Sequence, residues 1–465
     1  MSSPRLIWGS RLAQSLACPL VSRRSLVKAG LLGAGSFSLA HLLRSQAVAQ
    51  ESISSQTSAR DKSIIFLWLW GGPSHMETFD MKPGAPAEYR GEFRPIATSV
   101  PGIEICEHLP RLAPLADKFS LIRSLSHSSP GHVNSTHTLM TSYPGALAEA
   151  PPFEPQYPDF NSVASRLVGP RRPGTPSHVA MPQLRYGGSA YLGTGLNPLS
   201  VQADPNAADF RVPALGIDAD TLRTLEDRRS LQQSLDGFQR QWDQSGTMSA
   251  LDQFEQQAVQ MLANQQVRDA FRLVREPEFL RERYGRHLVG QRCLLARRLV
   301  EAGVRMVTVD FPCVPGQKAF SWDDHASVWN IFDEMKTRLP VLDQVVSALI
   351  EDLDGRGLLN DVLLVVMGEM SHTPRINIHQ GNPGREHWAH TMSLLMAGGG
   401  LPMGQVVGST SSRGDEPKDR PLVPGDLLAT WYRYLGISTE TTFPDHFGRP
   451  TPILAQGTPI REFFP

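Results

Sequence analysis

The chain has 465 residues, of which 40% are hydrophobic and 20% are charged. This is the composition of a globular protein long enough for one large or two medium hydrophobic cores, and it excludes a disordered or fibrous chain. The 45 basic and 46 acidic residues give a net charge of −1, so neither sign of charge dominates the whole sequence.

The first 49 residues have the pattern of an export signal. Arg23 and Arg24 precede an apolar stretch over residues 29–43, and the A-x-A sequence at 47–49 is typical of a cleavage site. Paired arginines favour the twin-arginine route. The alternative is a membrane anchor, but the apolar stretch is short and contains glycine, serine and a histidine. We therefore expect a periplasmic or extracellular mature protein with no stable membrane span after processing.

Removal of this signal changes the charge of the chain. The signal holds six basic residues and no acidic ones, which leaves 39 basic and 46 acidic residues and a net charge of −7. A mildly acidic protein has no electrostatic reason to bind nucleic acid, so we expect no such partner. The mature chain keeps Cys106, Cys293 and Cys313, whose spacing is not of the metal-binding type and allows at most one disulfide, with the pair left open.

After a polar lead-in over residues 50–62, apolar runs and amphipathic segments alternate along the chain. Buried strands are predicted at 63–70, 118–123, 304–310, 362–367 and 393–397. Helices are predicted near 133–141, 342–353 and 424–434, with a helical insertion or lid at about 218–303. This alternation predicts an α/β fold, a mainly parallel sheet covered by helices on both faces.

Four loops that follow predicted strands carry histidine, carboxylate or hydroxyl groups. They cover residues 71–80, 124–141, 310–325 and 368–390. Parallel strands end at one edge of a sheet, so residues far apart in the sequence are expected to meet there. Histidines and carboxylates without suitably spaced cysteines favour Zn²⁺, Mn²⁺, Ca²⁺ or Fe. One or two such metals could activate water and stabilise a phosphoryl or sulfuryl oxygen.

Several of these residues also have ordinary structural interpretations. The carboxylates of the WDDH segment at 322–325 could cap a helix. His75 and His127 fit loop residues with ordinary hydrogen bonds better than they fit ligands. His132 and His137 are five residues apart, so at most one is expected to point into a site.

A set of segments in this sequence resembles the bacterial family called domain of unknown function 1501. The segments are WGGPSHMETFDMKPG, RSLSH, THTLMTSYPG, RCLLARRLVEAGVRMVTVD, WDDH, GE-x-x-x-TPRIN and GREHW. The resemblance covers nearly the whole mature chain. By resemblance, that family falls in the alkaline phosphatase and sulfatase superfamily, whose members hold one or two metals above a central, mostly parallel sheet. It implies an alkaline phosphatase-like domain over residues 63–465.

The same resemblance implies a set of metal ligands. Asp324 and His325 resemble the mid-chain Asp and His ligands of the superfamily, and His387 is similar to its final metal-binding His. Glu369 follows Gly368 where the superfamily has Asp-His after a late strand. The implied cofactor is a divalent metal, with Zn, Ca and Mn left open. The complete predicted set of ligands is Asp80, Asp324, His325, Glu369 and His387.

The resemblance also locates the expected catalytic groups. Residues 136–144 are similar to the sulfatase segment that begins the helix after the nucleophile, which puts His132 at the nucleophile position. No Ser, Thr or Cys stands there, and Thr136 is a nearby substitute. Arg385 is predicted to hold the anion, because a guanidinium can bind two oxygens at once. His372 stands where the family usually has Arg, which removes an anion contact or adds a ligand.

The resulting prediction is an exported metal-dependent hydrolase of phosphate or sulfate esters, sulfatase-like, with a small-molecule or glycan ester as substrate. The alternative is a non-catalytic binding or envelope protein that keeps the sulfatase-like fold. The missing nucleophile favours the alternative, whereas histidines and carboxylates at several strand ends favour the enzyme.

Overall fold

A computed structural model of the chain describes residues 61–129, 131–145, 148–212, 264–327 and 329–464. The predicted export signal and most of the lead-in lie outside the described residues, as do residues 218–263 of the predicted helical insertion.

Within the described ranges, eight strands form the central sheet. They are β1 (Ser63–Trp68), β2 (Phe119–Leu125), β3 (His178–Met181), β4 (Leu199–Ser200), β5 (Met306–Asp310), β6 (Val362–Met367), β7 (Met392–Gly398) and β8 (Val406–Val407). Their spatial order is β8-β2-β7-β6-β1-β5-β3-β4. Strand β7 runs antiparallel to β2 and β6, and the other neighbours pair in parallel. The predicted α/β class with a mostly parallel sheet is therefore confirmed.

The central strands β1 and β6 are buried along their whole length. Successive side chains of a strand point to opposite faces, so Ile65 and Leu67 join one hydrophobic cluster while Ile64 and Phe66 join the other. A strand with both faces covered needs a continuous apolar sequence, which is what these two segments contain.

Helices cover both faces of the sheet. They are α1 (Ala87–Arg90), α2 (His132–Thr141), α3 (Phe160–Leu167), α4 (Gln265–Ala270), α5 (Glu278–Tyr284), α6 (Leu288–Ala302), α7 (Ile331–Gly355) and α8 (Pro424–Tyr434). Helices α6 and α7 share one cluster with the sheet, and α2, α3 and α8 share the other. Helix α6, at the end of the predicted insertion, packs directly on β5 and β1 and so covers the sheet.

The loops contain short strands and short 3₁₀ helices. The paired short strands are Pro95–Ala97 with Glu104–Cys106, Ser371–His372 with His387–Trp388, Asn377–His379 with Asn382–Gly384, Ser409–Thr410 with Pro417–Asp419, and Thr442–Pro444 with Pro450–Pro452. The short 3₁₀ helices are His75–Glu77, Ala113–Lys118, Ala190–Leu192, Thr194–Leu196, Leu273–Arg275 and Arg461–Phe463.

Two further expectations concern cysteines and the membrane. Cys106, Cys293 and Cys313 are all free thiols. None of the described helices combines the length and the apolar character needed to cross a bilayer.

Candidate metal centre

One carboxylate and four imidazoles meet at the carboxyl edge of the sheet. The loop after β2 leads into His132, the loop after β5 carries Asp323 and His325, and the loop after β6 carries His372 and His387. Strands β2, β5 and β6 point the same way, so their loops leave the sheet at the same edge. We call these five residues the Asp323 cluster.

The Asp323 carboxylate is the centre of this cluster. Its Oδ1 lies 2.8 Å from His325 Nε2, 3.0 Å from His387 Nε2 and 3.2 Å from His372 Nε2. Its Oδ2 lies 3.3 Å from His132 Nε2. Two groups of ligand atoms, each within 4.8 Å of one another, share this aspartate: His132, Asp323 and His387, and Asp323, His325 and His372.

A short antiparallel ladder sets the positions of two of the histidines. His372 pairs with His387, and Ser371 pairs with Trp388. Residues directly opposite each other in an antiparallel pair place their side chains on the same face. Both imidazoles therefore face Asp323, while Ser371 faces the other way and hydrogen-bonds His75 at 2.7 Å.

Two more carboxylates orient the histidines from behind. Glu369 Oε1 lies 2.7 Å from His132 Nδ1 and accepts the Gly71 N–H at 2.9 Å. Glu386 Oε2 lies 2.5 Å from His325 Nδ1. In both cases one ring nitrogen contacts a supporting carboxylate and the other contacts Asp323. Metal-binding histidines are usually held by a carboxylate or carbonyl in this way.

The cluster also perturbs the ionisation of its members. Burial alone would raise the pKa of Asp323, but hydrogen bonds from the four histidines hold that pKa far below its usual range. Burial would lower the pKa of His132, but its hydrogen bonds to Asp323 and Glu369 raise it to about 10. The hydrogen bond to Asp323 raises the pKa of His325 to about 9. The cluster thus stabilises positive charge around one carboxylate.

Two glycines let the loops approach closely enough to build the cluster. A Cβ on Gly71, which has a φ of +107°, would lie 2.5 Å from the Asp323 backbone nitrogen. A Cβ on Gly384 would lie 2.1 Å from the Ala326 nitrogen and 2.3 Å from the His325 carbonyl carbon. Real Cβ contacts are longer, so any side chain at either position would push the loop that carries Asp323 and His325.

These residues fit a divalent metal. One carboxylate and several imidazoles are the ligands that Zn²⁺ and related ions take from proteins. Glu369 Oε2 and His372 Nδ1 are buried and have no hydrogen-bond partner among the described residues, which leaves polar atoms beside the cluster unsatisfied.

Residues 61–464 match the family described as protein of unknown function (DUF1501). The chain belongs to this family. The match includes every member of the Asp323 cluster, so the centre lies inside the family's common region. The expected family resemblance is therefore confirmed. No curated protein matches the chain.

Solved structures that resemble this chain include a sulfatase, a phosphonate monoester hydrolase and a lipoteichoic acid synthase. A sulfatase from Pseudoalteromonas sp. is 12% identical, with a TM-score of 0.40 over 86% of this chain and 73% of that one. The phosphonate monoester hydrolase of Agrobacterium radiobacter is 11% identical, with a TM-score of 0.39 over 86% and 77%. The lipoteichoic acid synthase from Listeria monocytogenes is 8% identical, with a TM-score of 0.36 over 83% and 74%. At TM-scores below 0.5 these likenesses assign no activity to this chain.

The predicted ligands divide into two groups in this family member. His325 and His387 belong to the Asp323 cluster, and Glu369 lies directly behind His132. Asp324 and Asp80 do not belong to it. Asp324 Oδ1 instead accepts a hydrogen bond from Arg338 Nη2 at 2.8 Å, with both side chains buried. The preceding residue of the WDDH segment supplies the carboxylate.

Asp80 has a structural role in the same half of the molecule. Its Oδ1 accepts from Lys82 Nζ at 2.8 Å and lies 3.6 Å from Arg123 Nε, and its Oδ2 accepts from the Thr410 hydroxyl. These contacts surround the carboxylate with partners from three segments, and none of them involves the Asp323 cluster. The prediction that Asp80 is a metal ligand is therefore corrected, because its carboxylate belongs to a buried ion pair.

Arg385 is also committed to internal contacts. Its Nη2 donates to Glu77 Oε1 at 2.6 Å and to the Tyr89 carbonyl at 2.8 Å, and its Nη1 donates to the carbonyls of Thr373 and Pro374. The side chain is fully buried. The predicted anion contact is wrong for this residue, because its guanidinium is occupied by the protein's own oxygens.

The predicted catalytic residues His132 and Thr136 both lie on α2. His132 is the first residue of the helix and joins the cluster, whereas His137 contacts the Tyr143 carbonyl at 3.1 Å. Thr136 is completely buried, and its hydroxyl has no hydrogen-bond partner in the described part of the chain. The position of the expected nucleophile is thus occupied by a candidate ligand.

Two members of the cluster, Asp323 and His372, were predicted neither as ligands nor as catalytic residues. Asp323 was interpreted together with Asp324 as ligand loop or helix cap, but α7 is capped by Asn330, whose side chain accepts the Phe332 N–H at 2.8 Å. The sequence left two roles open for His372, the loss of an anion contact or an added ligand, and in the structure its Nε2 lies 3.2 Å from Asp323 Oδ1. Both residues lie in loops that the sequence pattern singled out.

Proposed function

We propose that the mature chain is an exported metal-dependent hydrolase of phosphate or sulfate esters. The observation that carries this proposal is the Asp323 carboxylate contacted by four imidazole Nε2 atoms at 2.8–3.3 Å. A structural protein has little need for five such side chains at the carboxyl edge of a parallel sheet, where ligands of this class of fold usually bind.

The Asp323 cluster would hold the metal. Asp323 would be shared between the two ligand groups, with His132 and His387 on one side and His325 and His372 on the other. When bound, a divalent cation in this position supplies a Lewis-acid charge that stabilises the negative oxygens of an ester and activates water.

The chain's own residues define the rest of the mechanism. Glu369 fixes the His132 ring through Oε1, while its Oε2 is buried and unpaired among the described residues. We assign to Glu369 Oε2 the uptake of the proton released when water attacks the ester. Because His132 stands where the superfamily nucleophile is expected, we propose direct attack by water, without a covalent intermediate on a Ser, Thr or Cys side chain.

Purified mature protein tests this function. We expect it to contain a divalent metal, and to release phenol from an aryl phosphate or an aryl sulfate in a chelator-sensitive way. The variant Asp323→Asn should lose both the metal and the turnover. Asp333→Asn is the matched control, because Asp333 is largely exposed on α7 and pairs with Lys336 at the surface. Absence of bound metal together with absence of turnover would refute the proposal.

The alternative, a binding or envelope protein that keeps this fold, predicts a different result. Such a protein would bind a glycan or another protein specifically but hydrolyse neither ester. A metal held only for stability would be recognised because chelation would lower the melting temperature of a chain with no activity to lose.

Export is proposed from the sequence of residues 1–49. Paired arginines, an apolar stretch and an A-x-A sequence support cleavage after Ala49 and a periplasmic or extracellular location. Replacing Arg23 and Arg24 together by lysine should retain the uncleaved chain inside the cell. An unchanged amino terminus in the exported protein would contradict the cleavage.

A further inference from the structure

Arg185 lies next to the Asp323 cluster, in the loop after β3. Its guanidinium carbon is 3.9 Å from the centroid of the Trp70 ring, and the Trp70 ring is 5.8 Å from the His132 ring. Strand β3 is parallel to β5, so the loop after it leaves the sheet at the edge that carries the cluster. Trp70 therefore neighbours both Arg185 and a proposed metal ligand.

The Arg185 guanidinium keeps hydrogen-bonding capacity. Its ion pair with Asp310 is long, with Nη2 at 3.4 Å from Oδ2, whereas charge-assisted hydrogen bonds are usually about 2.7–2.9 Å. Arg185 Nε and Asp310 Oδ1 are both buried without a partner among the described residues. The Arg185 side chain is 28% exposed. Arg385, by contrast, is fully enclosed, so Arg185 is the better placed of the two for an external anion.

Aromatic rings extend the same surface away from the cluster. The Phe320 ring lies 6.2 Å from Trp70 and 6.1 Å from Trp329. Phe320 is 60% exposed, so its ring is accessible to another molecule. Trp70, Phe320 and Arg185 thus present flat apolar faces and a cation side by side.

We infer that Arg185, Trp70 and Phe320 form the substrate subsite of this centre, which takes an ester whose organic part is a ring. The anionic group pairs with the Arg185 guanidinium, which can donate two hydrogen bonds to one tetrahedral anion. The ring packs on Trp70 and Phe320, whose faces favour stacked or edge-on contact. This inference deepens the proposed function and rests on it.

The probes are phenylphosphonate and methylphosphonate, which carry the same anion with and without a ring and contain no ester bond to hydrolyse. We expect the zinc-loaded mature protein to bind phenylphosphonate at least about fivefold more tightly than methylphosphonate, measured by calorimetry. If glucose 6-sulfate competes with phenylphosphonate, the natural partner of the surface is a sugar ring. If it does not compete, the natural partner is an aryl ring.

Variants separate the cation from the rings. Arg185→Gln should weaken both phosphonates at least about tenfold, because it removes the charged hydrogen bonds and keeps the size. Phe320→Ala should weaken only phenylphosphonate. The matched controls are Arg166→Gln and Phe279→Ala, two exposed residues on other helices. Arg185→Lys keeps a charge beside Asp310 and should bind both probes with intermediate affinity, which guards against a folding defect in Arg185→Gln.

Unchanged binding of both phosphonates by folded Arg185→Gln would overturn the inference, as would equal affinity of the wild-type protein for the two probes. Failure of the proposed function has a separate signature. If the protein hydrolyses no ester but still prefers phenylphosphonate in an Arg185-dependent way, the inferred subsite stands and the proposed hydrolase function fails. If it hydrolyses aryl esters with full efficiency after Arg185→Gln, the hydrolase function stands and the inferred subsite fails.

Discussion

The close approach of Gly384 to the loop that carries Asp323 and His325 makes a sharp test of the centre. In Gly384→Ala the new Cβ would start 2.1 Å from the Ala326 nitrogen and must reach the ordinary contact distance of 3.4 Å, a displacement of 1.3 Å. Its nearest neighbours, the Ala326 nitrogen and the His325 carbonyl carbon, are backbone atoms, so no side chain can rotate away. The loop that carries His325 must move, or the hairpin Asn382–Gly384 must move with His387 beyond it.

Functional side chains need to stay within about 0.5 Å of their working positions, so a shift of this size should weaken zinc binding about 10- to 100-fold. The accompanying overpacking should cost about 1–3 kcal/mol of unfolding free energy. For a chain of this size that corresponds to a melting temperature lower by roughly 1–4 °C.

The assay is a zinc titration against a chelator of known affinity, with thermal unfolding of the same samples. Gly84→Ala is the matched control, because nothing lies within 4 Å of a Cβ at Gly84. Wild-type zinc affinity in Gly384→Ala, at an unchanged melting temperature, would refute the reasoning that close packing of these two loops positions the cluster.

Three further predictions follow from buried charged and titratable groups. Glu369→Gln keeps the shape and an acceptor oxygen but removes the charge behind His132, so zinc affinity should fall about 10- to 100-fold in the same titration; an unchanged affinity would contradict the supporting role. Burial lowers the pKa of His178 to about 3, so its neutral imidazole makes its full contribution to the unfolding free energy above pH 6.5. As the pH falls from 6.5 towards 3, this contribution decreases by about 1.4 kcal/mol per pH unit. Urea unfolding between pH 6.5 and pH 5 includes this contribution, and His178→Asn should reduce the pH dependence of the unfolding free energy by about 1.4 kcal/mol per pH unit. Arg385→Gln leaves Glu77 buried without its partner and should cost about 3–5 kcal/mol of unfolding free energy; unchanged stability with weakened phosphonate binding would restore an anion-binding role.

The sequence predicted the strands of the sheet centre well and its edges poorly. Strand β6 was predicted with the observed bounds, because burial on both faces demands an uninterrupted apolar run. Strands β4 and β8 have two residues each, too few for any periodic signal. The antiparallel direction of β7 was also beyond prediction, because a buried strand has the same apolar pattern in either direction.

The candidate centre was predicted as a set of loops more accurately than as a set of residues. His132, His325 and His387 were all assigned to the site, and they meet in the structure. The choice between Asp323 and Asp324 depended on Arg338, a residue of α7 that holds Asp324 away from the histidines. No local pattern in the WDDH segment contains that information.

Arg385 was assigned to the site for a similar reason, because its partner lies far away in the sequence. An arginine between a glycine and a glutamate in a polar loop is usually exposed, and the chemistry of its side chain suits an anion. Its partner Glu77 lies 308 residues earlier in the chain. Arg185 had no motif to mark it, and its position became informative only through the distances to Trp70 and Asp310.

The ligands of the Asp323 cluster are spread over the sequence from His132 to His387, and two of them depend on a ladder that closes late in the chain. No fragment of the growing polypeptide therefore contains a complete binding site for the ion. Under the proposed twin-arginine export, which carries folded chains, the metal would be acquired in the cytoplasm before the protein crosses the membrane. The identity of the ion would then reflect what the cytoplasm supplies to a newly folded chain, even though the proposed enzyme would work outside it.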